Sequence, residues 1–124
     1  MNTNTAITMP ARIFGLCSGR HPLPVQGYVF GEVKDIFDFE ELNRIAERFV
    51  LEHCNPRRTW GTSPAQVDLT DVEKYVGDPV DVIVTGLTAA TTALMWACAC
   101  YGVPLTLWHF DWETGDYMPQ RFYF

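Results

Sequence analysis

Val80 to Asp111 reads VDVIVTGLTAATTALMWACACYGVPLTLWHFD, and this stretch decides the fold. Val80, Val82, Ile83 and Val84 make a β-branched run that stops at Thr85-Gly86. A block of Ala, Thr, Leu and Met follows, with helical character. Gly102 sits where a helix C′ glycine belongs, and Pro104 blocks continuation. A second β-rich run, Leu105 to Phe110, closes the unit. Strand, helix and strand in this order predict a crossover between two parallel neighbours. The helix predicted from Leu87 to Cys100 carries no charged side chain. A helix without a polar face is buried on most sides. In a chain of 124 residues that leads to the expectation of a second subunit covering it, a homo-oligomer.

Working outward, Arg12 to Ser18 (RIFGLCS) reads as a buried strand in which Gly15 marks a close backbone approach. Residues 25–33, VQGYVFGEV, read as a short irregular strand. A helix begins at Asp38, with Glu41 three residues on in capping-box spacing and Phe37 and Leu42 in staple spacing. Phe39, Leu42, Ile45, Ala46, Phe49 and Val50 recur on one face, and Asn55-Pro56 ends the helix. Thr70 is the candidate cap of one helical turn from Asp71 to Val76. After Asp111 come a turn, Glu113 to Asp116, and a last run from Tyr117, which Pro119 confines to a sheet edge. The expected fold is a single α/β domain over residues 12–124. Its sheet is mostly parallel, with a βαβ crossover and an antiparallel C-terminal edge strand. Residues 1–11 read as a loose N-terminal arm.

Composition excludes several classes. Hydrophobic residues make up 48%, so general disorder is out. No apolar run approaches the roughly 20 residues of a spanning helix, so no membrane partner is expected. The N-terminus, MNTNTAITMPAR, lacks the basic and apolar regions of a secretion signal. A net charge of −6 argues against binding long nucleic acid through its backbone. Cys17, Cys54, Cys98 and Cys100 form no C-x-x-C pair and read as free thiols of a cytoplasmic protein. A zinc site would need Cys17, His21, His53 and Cys54 to converge, which their spacing does not demand. No metal and no cofactor are expected.

Two turns carry the functional reading. Ser18, Gly19, Arg20 and His21 follow the first strand directly, where open α/β sheets bind ligands. Thr85, Gly86 and Thr88 open the apolar helix, whose free amides and dipole favour an anion. A plain Thr N-cap is the simpler account of that second turn. His109 alternates with Trp108 and Phe110, so it faces away from them, and Asp111 lies close in sequence. Arg57, Arg58 and Trp60 form a basic–aromatic cluster that either grips a phosphate and a base or pins a loop.

From residue 83 to 120 the chain resembles the C-terminal half of the small CRISPR-associated ring nucleases, which bind cyclic oligoadenylates. The shared pattern is Val84-Thr85-Gly86, an apolar helix, an aromatic strand ending in Phe110-Asp111, then Gly115 and Gln120. The chain departs from it at Leu87, where the pattern implies a basic residue, and in its helix, which has no histidine. The resemblance implies an oligomeric protein binding a small anionic nucleotide ligand of the cyclic oligonucleotide class. It would act as a sponge, a sensor or a ring nuclease in prokaryotic or phage defence or counter-defence. Ser18, Gly19, Arg20, Thr85, Gly86 and Thr88 would then bind the ligand. Cleavage, if any, would be metal-independent, with His21 or His109 as general acid/base and Arg20 stabilising the anion. The competing reading is a non-catalytic protein-interaction subunit assembled through the apolar helix.

Overall fold

The computed structural model describes residues 9–19, 23–57 and 76–124. Five strands form one sheet: β1 Phe14–Cys17, β2 Gly27–Phe30, β3 Val80–Ile83, β4 Leu105–Asp111 and β5 Asp116–Phe122. Helix α1, Phe39–His53, links β2 to β3, and α2, Thr88–Tyr101, links β3 to β4. The sheet order is β2-β1-β3-β4-β5, with every pair parallel except the β4–β5 hairpin. The expected fold class and its antiparallel C-terminal edge are therefore present.

Alternation along the strands divides the core between two faces. Phe14, Leu16, Val80, Val82, Leu105 and Leu107 meet both helices. Ile13, Ile83 and Trp108 point the other way and are joined by Met9, Leu23, Val25 and Tyr117. The chain thus leaves β1 over one face and leaves β3 over the opposite one. Gly15 is required at the first crossing: a Cβ there would stand 2.6 Å from the Tyr28 ring. Met9 belongs to the arm expected over residues 1–11 and is half-buried; the rest of that arm up to residue 8 lies outside the described residues.

Helix α1 starts where its sequence says. The Asp38 carboxylate accepts from the Glu41 amide at 3.2 Å. The capping box stays half-made, because the Glu41 carboxylate turns to Arg44 (Nε–Oε2 2.9 Å). The staple does not form either: Phe37 is 73% exposed and packs edge-on against Phe39 rather than on Leu42. Leu42, Ala46, Phe49 and Val50 supply the buried face, whereas Phe39 lies outside it. Beyond the C-cap Cys54, Asn55 takes a left-handed φ of 43°.

Helix α2 ends on Gly102, φ 65°, with the Val103 amide reaching back to the Cys98 carbonyl at 2.9 Å, a Schellman closure. Its neutrality is matched by its surroundings. Ala90, Ala93, Leu94, Ala97, Cys98 and Tyr101 are buried against α1 and the sheet. Thr91 and Thr92 return their hydroxyls to the carbonyls of Leu87 and Thr88. The chain's own elements therefore cover this face of the helix. What stays outside is a narrow uncharged strip, Thr88, Thr92, Trp96 and Ala99.

Candidate functional site

The carboxyl ends of β1, β3 and β4 lie along one edge of the sheet. β1 hands the chain left to β2, and β3 hands it right to β4. Strand ends whose connections diverge in this way leave a crevice between them, the usual ligand position in open α/β sheets. Gly19 (φ 86°) and Gly86 (φ 90°) bend the backbone away on the two sides. No described residue lies within 4 Å of a Cβ built on Gly86.

A cavity of about 170 Å³ occupies the crevice on the β2 side, lined by Cys17, Ser18, Gly19, Glu32, Val33, Ile36 and Leu87. It brings Ser18 and Gly19 of the turn after β1 to Leu87 at the start of α2, whereas Thr85, Gly86 and Thr88 are not among its lining residues. Arg20 and His21, assigned there from sequence, lie outside the described residues.

The simple Thr cap at the start of α2 is not what the structure contains. The N-cap is Leu87, with no side-chain bond to the first turn, and that turn holds no acidic residue. Helix α1 has both a capping carboxylate and Glu40 and Glu41. The first-turn amides of α2 therefore keep the donor capacity that α1 has spent on itself. Thr85 Oγ1 is enclosed and has no hydrogen-bond partner among the described residues. Such a group costs free energy until something accepts from it or donates to it.

The other sequence candidates fall as follows. His109 Nε2 lies 2.9 Å from Gln120 Oε1. Its ring shares the helix-side face with Gln120, opposite Phe110, whose ring meets Tyr117 at 5.2 Å. Asp111 does not contact it in any described hydrogen bond; its Oδ1 accepts from the Glu113 amide at the hairpin. Cys17 ends β1, whereas His53 and Cys54 lie at the opposite sheet edge, where the Arg12 guanidinium donates to the His53 carbonyl. The four-residue zinc arrangement thus does not assemble from its described members, and no cluster among the described residues suits a metal ion. Arg57 stands 4.0 Å from Asp78, both half-exposed; Arg58, Trp60 and the turn from Asp71 to Tyr75 lie outside the described residues.

Sequence reasoning passed over Glu32. It is the first acid after β2, the strand neighbouring β1, and only that neighbour relation brings it to the Gly19 turn. Its Cγ would stand 3.7 Å from a Cβ on Gly19. The crevice thus offers donors at the α2 amides and an acceptor at Glu32. No known family model, curated protein or solved structure matches the chain. No helix among the described residues is long and apolar enough to cross a membrane.

Proposed function

We propose that this protein binds a nucleotide-type anionic ligand, of the cyclic oligonucleotide class, in the crevice between β1 and β3. It acts on that ligand as a sponge or sensor, or as a metal-independent ring nuclease, in prokaryotic or phage defence or counter-defence. The observation that carries the reading is the uncapped start of α2 beside the enclosed, unpartnered Thr85 hydroxyl. Phosphate oxygens suit both sets of donors. Glu32 adds an acceptor to the same cavity, which the phosphodiester groups of such a ligand cannot use and its ribose hydroxyls can. In the nuclease form, a ribose hydroxyl attacks the adjacent phosphorus and the 5′-oxygen leaves with a proton. His21 or His109 handles the protons, and Arg20 stabilises the anionic transition state.

Thermal melting with cyclic di-, tri- and tetranucleotides tests the binding step. At a hundredfold excess over Kd a ligand of the native state adds about 2.7 kcal/mol. For a domain of this size that is a shift on the order of 10 °C. Duplex DNA is expected to give none. Chromatography after incubation returns intact ligand from a sponge and linear products from a nuclease. A panel that leaves the melting curve in place defeats the proposal.

A second reading has its own observation. Trp96 is 38% exposed on the uncharged outer strip of α2, which suits a protein-interaction subunit or a homo-oligomer seam. Light scattering of Trp96→Glu against wild type tests it.

A further inference from the structure

We infer that Glu32 reads the 2′-hydroxyl of the ligand's ribose and makes the crevice selective for ribonucleotides over deoxyribonucleotides. The inference rests on the nucleotide reading above and adds to it the residue that sets sugar specificity. Glu32 follows β2 (Gly27–Phe30), the strand paired in parallel with β1, and lines the same cavity as Ser18, Gly19 and Leu87. In nucleotide-binding sheets a carboxylate at the carboxyl end of a nearby strand holds ribose hydroxyls; Glu32 stands so relative to this crevice, whose phosphate donors come from the start of α2 after β3 and not from the Gly19 turn. The chemistry explains why an acid can belong in an anion site at all. A carboxylate only accepts, a phosphate only accepts, and the hydroxyl between them can donate to the carboxylate. Glu32 is exposed, and neither ion pair among the described residues involves it. Of its neighbours in the cavity, Val33, Ile36 and Leu87 are apolar, which leaves the Ser18 hydroxyl as the other side-chain oxygen there and Glu32 as the charged acceptor. The cavity of about 170 Å³ suits one sugar-sized group, with the phosphate directed at the start of α2 and the base outside.

The test compares wild type with Glu32→Gln, using cyclic di-, tri- and tetra-adenylate and their all-2′-deoxy counterparts as probes, in calorimetric titrations. Glu32 is exposed, so the unliganded variant should melt with the wild type. Wild type is expected to prefer the ribo form by about tenfold or more, the scale of one hydrogen bond to a charged group. In Glu32→Gln, whose amide oxygen still accepts but without the charge, that preference should fall severalfold. The deoxy ligand should bind the variant at least as well as it binds wild type, because a negative charge near the phosphates has gone. A wild type that binds both sugars equally, or a variant that keeps the full preference, overturns the role of Glu32 and leaves nucleotide binding standing. Absence of binding by every ribo probe removes both.

Discussion

The indole Nε1 of Trp108 on β4 donates to Asp81 Oδ1 on β3 at 2.9 Å. The two strands pair in parallel, and the bond ties them on the face away from the helices. Trp108 is 3% exposed, so its N–H has little water to turn to, while the half-buried Asp81 gives it a charged acceptor. Trp108→Phe keeps most of the ring and leaves the carboxylate unpaired. It should cost about 1.5–3 kcal/mol, the range for a hydrogen bond to a charged group. Urea unfolding should show a lower midpoint with an unchanged slope. Against an Asp81→Asn background the same substitution should cost less, and equal costs in both backgrounds would mean that the bond contributes nothing.

The two helices differ at their starts, and the difference is measurable. Asp38→Ala removes the only side-chain cap of α1 and should cost about 1 kcal/mol. Thr88→Ala should cost only a few tenths or even stabilise, because Thr88 caps nothing and Ala is the better helix former. A loss from Thr88→Ala as large as that from Asp38→Ala would show that the Thr88 hydroxyl caps α2 in solution.

Those starts also show how far the sequence could be read. The β-branched runs, the Asp38 cap and the Gly102 stop are local signals, and local geometry decided each of them. The neighbour relation between β1 and β3 is not local. It needs the first crossing to run over the Ile83 and Trp108 face without a helix, and nothing between Ser18 and Gln26 announces that path. Glu32 was invisible for the same reason: it matters through a neighbouring strand and not through its flanking residues. Leu87 was mistaken for an ordinary helix residue because Thr85 and Thr88 on either side look like better caps. The neutrality of α2 reads correctly as burial, and α1 and the sheet supply that cover, while the exposed Trp96 strip is where a partner would have to sit.

Ala93 and Trp96 separate the fold from assembly. Ala93 is 3% exposed, so Ala93→Glu buries an unpaired charge and should cost several kcal/mol, enough to unfold a small domain. Circular dichroism should report the loss. Trp96→Glu lies on the exposed strip and should leave the melting curve within about 0.5 kcal/mol of wild type. If that strip is a seam between copies, the same variant should run as a monomer where wild type does not. Unfolding by Trp96→Glu would place Trp96 in the core instead.

Alkaline pH should weaken the fold through its thiols. Burial pushes Cys54 up to about 12 and raises Cys98 as well, with the neighbouring Cys54 adding to the shift. In the unfolded chain both ionise near about 8.5. A native pKa above the unfolded one means stability is fully present below about 8.5 and is lost as pH rises through the interval towards 12. Each thiol removes up to about 1.4 kcal/mol per pH unit in that window. Urea midpoints between pH 8 and 10.5 should fall accordingly, and Cys54→Ala with Cys98→Ala should flatten the decline. Thiol reagents at pH 8 should leave both cysteines unmodified until denaturant is added.

The Thr85 hydroxyl gives two results of opposite sign. In the unliganded protein it is enclosed with no partner among the described residues, a state that costs about 1–3 kcal/mol. Thr85→Val keeps the shape, removes the hydroxyl and should raise the unliganded melting temperature by several degrees. Ligand binding is expected to open the turn far enough for the same hydroxyl to donate to a phosphate oxygen, so the variant gives up a contact. The affinity for a cyclic adenylate should fall about tenfold, near the 1–1.5 kcal/mol of one hydrogen bond. A purely structural threonine cannot produce that pair of outcomes, since its loss would lower the unliganded stability and leave binding alone. Melting curves of wild type and Thr85→Val, each with and without cyclic tri-adenylate, therefore decide the matter. A variant that is less stable alone shows that the hydroxyl has a partner in solution. A variant more stable alone but with an undiminished ligand shift shows that the ligand does not reach it.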